Sequence, residues 1–313
     1  MPGRGVGFQL WLDEACGAVQ ECLPGPGAGW LVLSGFSWQG IDMQAGRSQL
    51  RIGIAGLGAV GKSVAEKLDA GIPGLQLTAI AVRDVAAARA RIKLASPCVF
   101  TDLAGLAPLC DVVVECAPSA LLPAICRPVL AAGKKVVVLS VGALLRNQDL
   151  IDLARESGGQ IVVPTGALIG LDAVTAAAEG TIRSVRMITR KPVKGLVGAP
   201  YLVENNIAIE DIKEPLRIFS GSPRDAAVGF PANLNVAVAL SLAGIGPDKT
   251  TLEIWADPHL DRNTHRIEVD ADSASFSMEI ANIPSENPRT GRITALSVIA
   301  ALRKMSAPLR VGT

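Results

Sequence analysis

Apolar runs alternate with segments of helical periodicity from residue 49 onward. Residues 49–55 form a short apolar run ahead of a glycine-rich turn, and residues 59–68 continue with apolar positions at helical spacing. The same alternation predicts strands at 75–82, 111–116, 135–141 and 160–163, and helices at 85–94, 121–132 and 148–157. Unbroken valine or isoleucine runs are typical of strands buried on both faces of a parallel sheet. We therefore predict an α/β fold, a doubly wound parallel sheet, over residues 49–165.

The pattern changes after Pro164. A helix of small residues leads to Glu179, and the strands that follow alternate apolar and polar positions, as half-buried antiparallel strands do. These strands are predicted at 184–190, 251–256, 265–270 and 275–280, with apolar helices at 232–243 and 294–303. We expect a second, α+β domain over residues 166–293, and a C-terminal helix within 294–313 that closes the fold.

Residues 1–48 lack a periodic pattern long enough to predict an element. They hold three of the four tryptophans and a cluster of glycine and proline. Asp13 and Glu14 interrupt the apolar part, and no small-residue cleavage site follows cleanly, which argues against a signal peptide. We expect an N-terminal extension that is flexible or absent from the native protein, with Met43 as an alternative start.

Charge and hydropathy narrow the choice of partner. The 30 basic and 29 acidic residues give a net charge of +1, which provides no electrostatic attraction for nucleic acid or an anionic membrane. Mean hydropathy is +0.37. Prolines and charged residues nevertheless interrupt the most apolar stretch, 116–145, so no run of about 20 apolar residues could span a membrane. We expect a small-molecule partner, no nucleic acid and no membrane.

Six cysteines stand at positions 16, 22, 98, 110, 116 and 126, without C-x-x-C spacing. Most are expected to be buried free thiols, as in a reducing compartment, so a cytoplasmic location is predicted. The sequence indicates no metal site.

Residues 51–63 satisfy two phosphate-binding patterns. Gly56, Gly58 and Gly61 fit the dinucleotide fingerprint G-x-G-x-x-G, whereas residues 56–63 fit the P-loop pattern G-x-x-x-x-G-K-[ST]. Both patterns need a strand before and a helix after, so that backbone N–H groups point at phosphate oxygens. A P-loop enzyme also needs an acidic residue at the end of another strand to hold magnesium, and Glu115 is a candidate.

The close spacing of Gly56 and Gly58 favours the dinucleotide interpretation, because it suits a tight turn that a pyrophosphate can approach. Arg83 and Asp84 end the second predicted strand, where the fold meets the adenosine ribose. Arg83 can bind the 2′-phosphate of NADP, while the neighbouring acidic residue leaves NAD open. Lys62 would then be an ordinary helix residue, and residues 49–165 would form a Rossmann-type doubly wound, dinucleotide-binding domain.

Two histidines, His259 and His265, are the candidates for imidazole acid–base chemistry. A solvated surface position is the default expectation for each of them. Asn233 and Asn235, near the start of a predicted helix, could be helix caps.

Blocks of sequence from residue 50 to 305 resemble L-aspartate dehydrogenases. The blocks are 56–61, 140–144, 164–167, 230–237, 256–258, 263–265 and 282–288. Thr165 stands where the family usually has serine, and Arg289 where it usually has lysine. The resemblance implies oxidation of L-aspartate to iminoaspartate with NAD or NADP, the reverse reaction from oxaloacetate and ammonia, and a role in NAD biosynthesis.

The resemblance also implies roles for individual residues. His265 would be the catalytic acid–base group, Ala167 would contact the nicotinamide end of the cofactor, and Asn233 or Asn235 would bind it too, with Asn235 favoured by its spacing to the histidine. The cofactor-binding candidates in the first domain are Gly56, Gly58, Ala59, Val60, Gly61 and Arg83. The substrate carboxylates need cations, for which the candidates are Lys191, Lys194, Arg289 and Arg292.

Three alternatives remain open from the sequence. These are another Rossmann oxidoreductase, similar to homoserine dehydrogenase, a cofactor-binding regulator without catalysis, and, as the least favoured, a P-loop NTPase. A homodimer is expected, because antiparallel sheets in such second domains often pair subunits. The α+β domain over residues 166–293 is thus expected to serve substrate binding and oligomerisation.

Overall fold

Two β-sheets are built from the residues described in the computed structural model, 49–230, 234–286 and 290–313. The first sheet is parallel throughout, in the order β3-β2-β1-β4-β5-β6. Its strands are Leu50–Ala55 (β1), Leu75–Ala81 (β2), Val99–Thr101 (β3), Val112–Glu115 (β4), Lys135–Val138 (β5) and Gln160–Val162 (β6). This order is that of a Rossmann fold, in which ligands bind beyond the carboxyl ends of β1 and β4, where the strand order reverses. The predicted fold class is confirmed.

Helices cover both faces of this sheet, as its valine-rich strands require. Val113 packs on one face with Ile125, whereas Val112 and Val114 pack on the other with Val64. The helices of this part are Ala59–Asp69 (α1), Val85–Arg91 (α2), Leu106–Leu109 (α3), Leu122–Ala131 (α4), Val141–Leu144 (α5) and Asp149–Ser157 (α6). Alternate residues of β4 therefore belong to two separate hydrophobic cores, one on each face of the sheet.

The second sheet has five strands in the order β11-β10-β7-β9-β8. They are Ile182–Pro192 (β7), Leu216–Gly221 (β8), Thr251–Asp257 (β9), Thr264–Ala271 (β10) and Ser275–Ala281 (β11). The prediction of antiparallel strands is wrong for one pair, because β7 and β9 run parallel. The long chain between them includes helices and returns the second strand in the same direction, which alternation along a strand does not reveal.

The remaining helices are Leu171–Ala178 (α7), Pro200–Glu204 (α8), Pro223–Gly229 (α9), Asn235–Ala243 (α10) and Ile293–Ser306 (α11). Val174 of α7 and Val238 of α10 share a core with Met187 and Ile267 of the second sheet. Helix α11 packs against the first sheet instead, since Val298 lies in the core that contains α1. The domain boundaries at 165 and 293 stay predictions.

One predicted strand, 135–141, is too long. It ends at Val138, because the N–H groups of Leu139 and Ser140 donate to the carboxylate of Glu115 and so leave the ladder. Residues 141–144 then form α5.

The prediction for residues 1–48 lies outside the described residues, as do Cys16 and Cys22. The four described cysteines are free thiols; Cys110 and Cys126 are buried, and Cys98 and Cys116 are partly buried. Among the described helices, none has the length and apolar character needed to cross a membrane.

Candidate active site

The glycine turn joins the carboxyl end of β1 to the start of α1. Gly56 has a φ of +94°, which disfavours other residues, and a Cβ atom there would lie 2.7 Å from the carbonyl oxygen of Cys116. A Cβ atom on Gly61 would lie 2.1 Å from the carbonyl oxygen of Gly56, so glycine lets the helix pack closely. At Gly58 a Cβ atom would meet nothing within 4 Å. The turn is therefore tightly packed at Gly56 and Gly61 and open at Gly58.

Helix α1 begins beside this open space. Gly58 is its N-cap residue and makes no side-chain capping bond, and the first helical hydrogen bond runs from Lys62 N to Gly58 O over 2.9 Å. The N–H groups of Ala59, Val60 and Gly61 precede that bond, and such groups at a helix start bind anions. The arrangement suits a pyrophosphate.

The geometry does not support a P-loop. The Nζ atom of Lys62 lies 3.8 Å from Glu66 Oε1, one turn along the same helix. Glu115 is fully buried and accepts hydrogen bonds from Ser140 N at 2.8 Å and Ser140 Oγ at 2.9 Å, in addition to Leu139 N. Burial raises the pKa of this carboxyl. Glu115 therefore holds the connection after β5 in place.

Arg83 lies two residues beyond the end of β2 and is exposed to solvent. Asp84 next to it is the N-cap of α2, and its Oδ1 atom accepts a hydrogen bond from Ala87 N at 2.9 Å. The carboxylate is thus engaged by its own helix, while the guanidinium stands at the ribose end of the expected cofactor position.

A cleft with a volume of about 130 Å³ lies between the carboxyl end of β5 and the second sheet. Three of the residues predicted to act in catalysis or to bind the cofactor line it, namely Ala167, Asn235 and His265. Its other lining residues are Val138, Leu139, Val141, Pro164, Thr165, Gly166, Lys191, Val236, Ala239, Asn263, Asn282, Thr290, Gly291 and Thr294. The glycine turn and Arg83 do not line this cleft.

His265 lies on β10, directly opposite Thr189 of β7. Its side chain is buried, and the Nδ1 atom is 3.2 Å from Thr189 Oγ1, which leaves Nε2 as the ring nitrogen for a ligand. Burial, with a smaller contribution from the Lys191 charge, lowers the pKa of His265 to about 3. The imidazole is therefore neutral at pH 7 and can accept a proton.

The default expectation of a surface position is wrong for His265. A strand entered from a polar loop still turns every second side chain inward, and His265 occupies an inward position. His259 is exposed, and its Nε2 atom is 3.9 Å from Glu214 Oε2.

Two asparagines position backbone around the cleft. Asn235 is the first residue of α10, and its Oδ1 atom accepts from Gly142 N at 3.0 Å, so it makes a contact between segments and does not cap its own helix. Asn282 donates from Nδ2 to Ala167 O at 3.0 Å. Within the described residues, the buried Oδ1 atom of Asn282 has no hydrogen-bond partner. Asn233, the other predicted asparagine, lies outside the described residues, as does Arg289.

Comparisons with known proteins agree in both halves of the chain. The family model "Homoserine dehydrogenase, NAD binding domain" matches residues 56–164, and "Aspartate dehydrogenase, C-terminal" matches residues 172–305. An L-aspartate dehydrogenase from Bradyrhizobium diazoefficiens is 60% identical over 88% of this chain and 99% of its own. L-aspartate dehydrogenase 3 from Bordetella bronchiseptica is 60% identical over 85% of this chain and 99% of its own.

The chain belongs to the L-aspartate dehydrogenase family. The resemblance found in the sequence is thereby confirmed. Among solved structures, the aspartate dehydrogenase from Thermotoga maritima matches with a TM-score of 0.65 and 22% identity, covering 84% of this chain and all of the other. At that identity the match supports the shared fold.

The sequence alone indicated no role for Thr189 or Asn282, and Lys191 was one of four basic residues that it did not rank. Thr189 and Lys191 could have been linked from the sequence, because they are two residues apart on β7 and therefore share its inward face. Lys194 and Arg292, two of the other candidates, are exposed and do not line the cleft. Asn282 could have been singled out because it belongs to block 282–288 of the family resemblance, but the sequence shows no contact that would explain a role for it.

Proposed function

We propose that the chain oxidises L-aspartate to iminoaspartate, with NAD or NADP as the electron acceptor. The observation that carries the proposal is His265, a buried and neutral imidazole that faces a cleft together with Ala167 and Asn235. Family membership supports the same reaction. The reverse reaction forms L-aspartate from oxaloacetate and ammonia.

The residues present fit a dinucleotide cofactor. The open space at Gly58 and the N–H groups at the start of α1 suit the pyrophosphate, and Gly56 and Gly61 keep the turn tight. We assign Ala167 and Asn235, which line the cleft, to the nicotinamide end. The unpartnered Oδ1 atom of Asn282 is a buried acceptor next to Ala167, which suits an amide donor. When bound, the nicotinamide supplies a hydride acceptor for the Cα hydrogen of the substrate.

His265 accepts a proton from the substrate ammonium in this account. Loss of that proton leaves a lone pair on nitrogen, which forms the C=N bond as the hydride departs from Cα. Thr189 holds the ring through Nδ1, so that Nε2 is presented to the amine. A neutral imidazole is required for this step, and burial keeps His265 neutral in the free protein, although the same lowered pKa makes the ring a weaker base there.

Steady-state kinetics with L-aspartate, in both directions and with both cofactors, test the proposal. We expect reduced cofactor to form with L-aspartate far faster than with L-homoserine or other amino and hydroxy acids. Preference for L-homoserine would favour an enzyme similar to homoserine dehydrogenase. Cofactor binding without turnover of any substrate would favour a regulator.

Arg83 is proposed to bind the 2′-phosphate of NADP. Replacing Arg83 with alanine should weaken NADP binding by about tenfold or more, because a charge-assisted contact to phosphate is lost, and should leave NAD binding unchanged. Titration of both cofactors against the variant measures the effect. The Arg91→Ala variant, altered at an exposed position of α2, serves as the control. An equal loss for both cofactors would contradict a role at the 2′-phosphate.

A homodimer is proposed through the outer face of the second sheet. This face carries the half-buried Trp255 and cross-strand ion pairs from Arg186 to Glu253 at 2.8 Å and to Glu268 at 2.9 Å. Such a face, with an aromatic side chain among charged pairs, suits a second copy of itself. Light scattering should report twice the monomer mass, and Trp255→Glu should shift it towards the monomer. An unchanged mass for the variant would place the interface elsewhere.

The physiological setting is also a proposal. Supply of iminoaspartate for NAD biosynthesis rests on the family resemblance, and restored growth of a strain that lacks this supply would test it. A cytoplasmic location is supported by the free thiols of the described cysteines.

A further inference from the structure

The charge of the cleft is set by the described residues that line it. Lys191 and His265 are the side chains among them that can carry a positive charge, and none of the described lining residues is acidic. Glu115 is fully buried, its carboxylate accepts hydrogen bonds from Leu139 N and Ser140 N, and it does not line the cleft. A cleft of this composition favours an anionic ligand.

The register of β7 places Lys191 beside His265. His265 pairs with Thr189, and Lys191 lies two residues further along the same strand, on the same face. Arg190 lies between Thr189 and Lys191 in the sequence and points to the outer face of the sheet. Its guanidinium lies 3.6 Å from Asp257 and 5.3 Å from the centre of the Trp255 ring. The strand thus presents one cation to the cleft and the next to the opposite face.

We propose that Lys191 binds a carboxylate of the substrate and thereby sets the preference of this cleft for acidic amino acids. The inference rests on the proposed function, since it concerns the same cleft. Lys191 is 6% exposed, so an anion bound to its ammonium would be shielded from water, where a charge-assisted hydrogen bond is stronger. Lys194, Arg292 and Arg190 are all exposed. Among the described cations of this segment, Lys191 is therefore the one in position to reach the substrate.

The same contact affects the acid–base group. Burial is the main cause of the lowered pKa of His265 in the free protein, and the positive charge of Lys191 adds a smaller contribution. A carboxylate placed next to Lys191 offsets that smaller contribution, and so raises the pKa of His265 and makes it a better proton acceptor. Binding of the acidic substrate would thus prepare the base that acts on its amine.

The test compares Lys191→Met, which keeps most of the length of the side chain and removes its charge, with Lys249→Met at an exposed position that does not line the cleft. Succinate serves as a probe, because it has two carboxylates and no amine to oxidise. We expect Lys191→Met to lower kcat/KM for L-aspartate by about 100-fold and to weaken succinate binding, measured by calorimetry with oxidised cofactor present, by at least about tenfold. The Lys249→Met variant should match the wild type.

The pH dependence of the wild type gives a second readout that needs no variant. Burial lowers the pKa of Lys191 to about 8, and His265 is the other charge-bearing group that faces it from the described lining of the cleft. The cation is present below that pKa and is lost above it, so succinate affinity should fall as the pH rises through about 8.

Succinate binding and kcat/KM of Lys191→Met within about threefold of the wild type would overturn the role of Lys191, as would succinate affinity that does not change between pH 7 and pH 9. Failure of the proposed function looks different. In that case the wild type itself would not reduce the cofactor with L-aspartate, whereas the succinate measurements would still report on Lys191.

Discussion

Replacing His265 with alanine is expected to lower kcat for L-aspartate oxidation by about 10²–10⁴-fold, the contribution usual for a positioned acid–base group. The ring is buried, and its Nδ1 atom lies 3.2 Å from Thr189 Oγ1, so Nε2 is the nitrogen presented to the cleft. A water molecule is poorly placed to take over the role of this buried ring. Cofactor affinity should persist, because the glycine turn that would bind the pyrophosphate does not line this cleft.

His259→Ala provides the matched control. His259 is the other histidine of the chain, and its exposed side chain lies near Glu214 and outside the lining of the cleft. That variant should retain wild-type turnover. If His265→Ala retained full turnover as well, the proton would have to leave through another group, and the assigned role would be wrong.

The glycine turn allows a second test with a large effect. Gly58→Ala should raise the dissociation constant of the cofactor by about tenfold or more, since the added methyl group enters the open space assigned to the pyrophosphate. The protein itself should keep its melting temperature, because this Cβ atom would meet nothing within 4 Å, and Gly58 has an ordinary φ of −76°.

Gly61→Ala, in contrast, should destabilise the fold. Its Cβ atom would lie 2.1 Å from the carbonyl oxygen of Gly56, so the turn or α1 must shift, at a cost of about 1–3 kcal/mol in the free energy of unfolding. Thermal unfolding without ligand, followed by cofactor titration, separates the two effects. Wild-type cofactor affinity in Gly58→Ala would show that the cofactor does not occupy the space above this residue.

Much of the fold could be predicted because its signals are local. The valine runs of β4 and β5 reflect burial on both faces of the first sheet, and the helix at 59 follows directly from the glycine spacing. Strand β8 carried no comparable alternation and was not predicted. The direction of β9 relative to β7 depends on how the long connection returns, which no short window of sequence contains.

The site was harder to predict from residue patterns, because it depends on register between distant segments. Thr189 and His265 are 76 residues apart in sequence and opposite each other in space. Their pairing decides that His265 faces inward, and the periodicity of either strand alone leaves that open. The same holds for Asn235, whose side chain contacts Gly142 across two elements. The roles proposed for these residues come from the family resemblance.

The most direct test of the central claim follows the hydrogen on Cα of the substrate. L-aspartate carrying deuterium at Cα should transfer that deuterium to the oxidised cofactor, so that mass spectrometry finds labelled NADH or NADPH after incubation with the wild type. The His265→Ala variant should bind the cofactor and form little labelled product. Reduced cofactor without deuterium, or none at all from the wild type, would contradict an L-aspartate dehydrogenase built around His265.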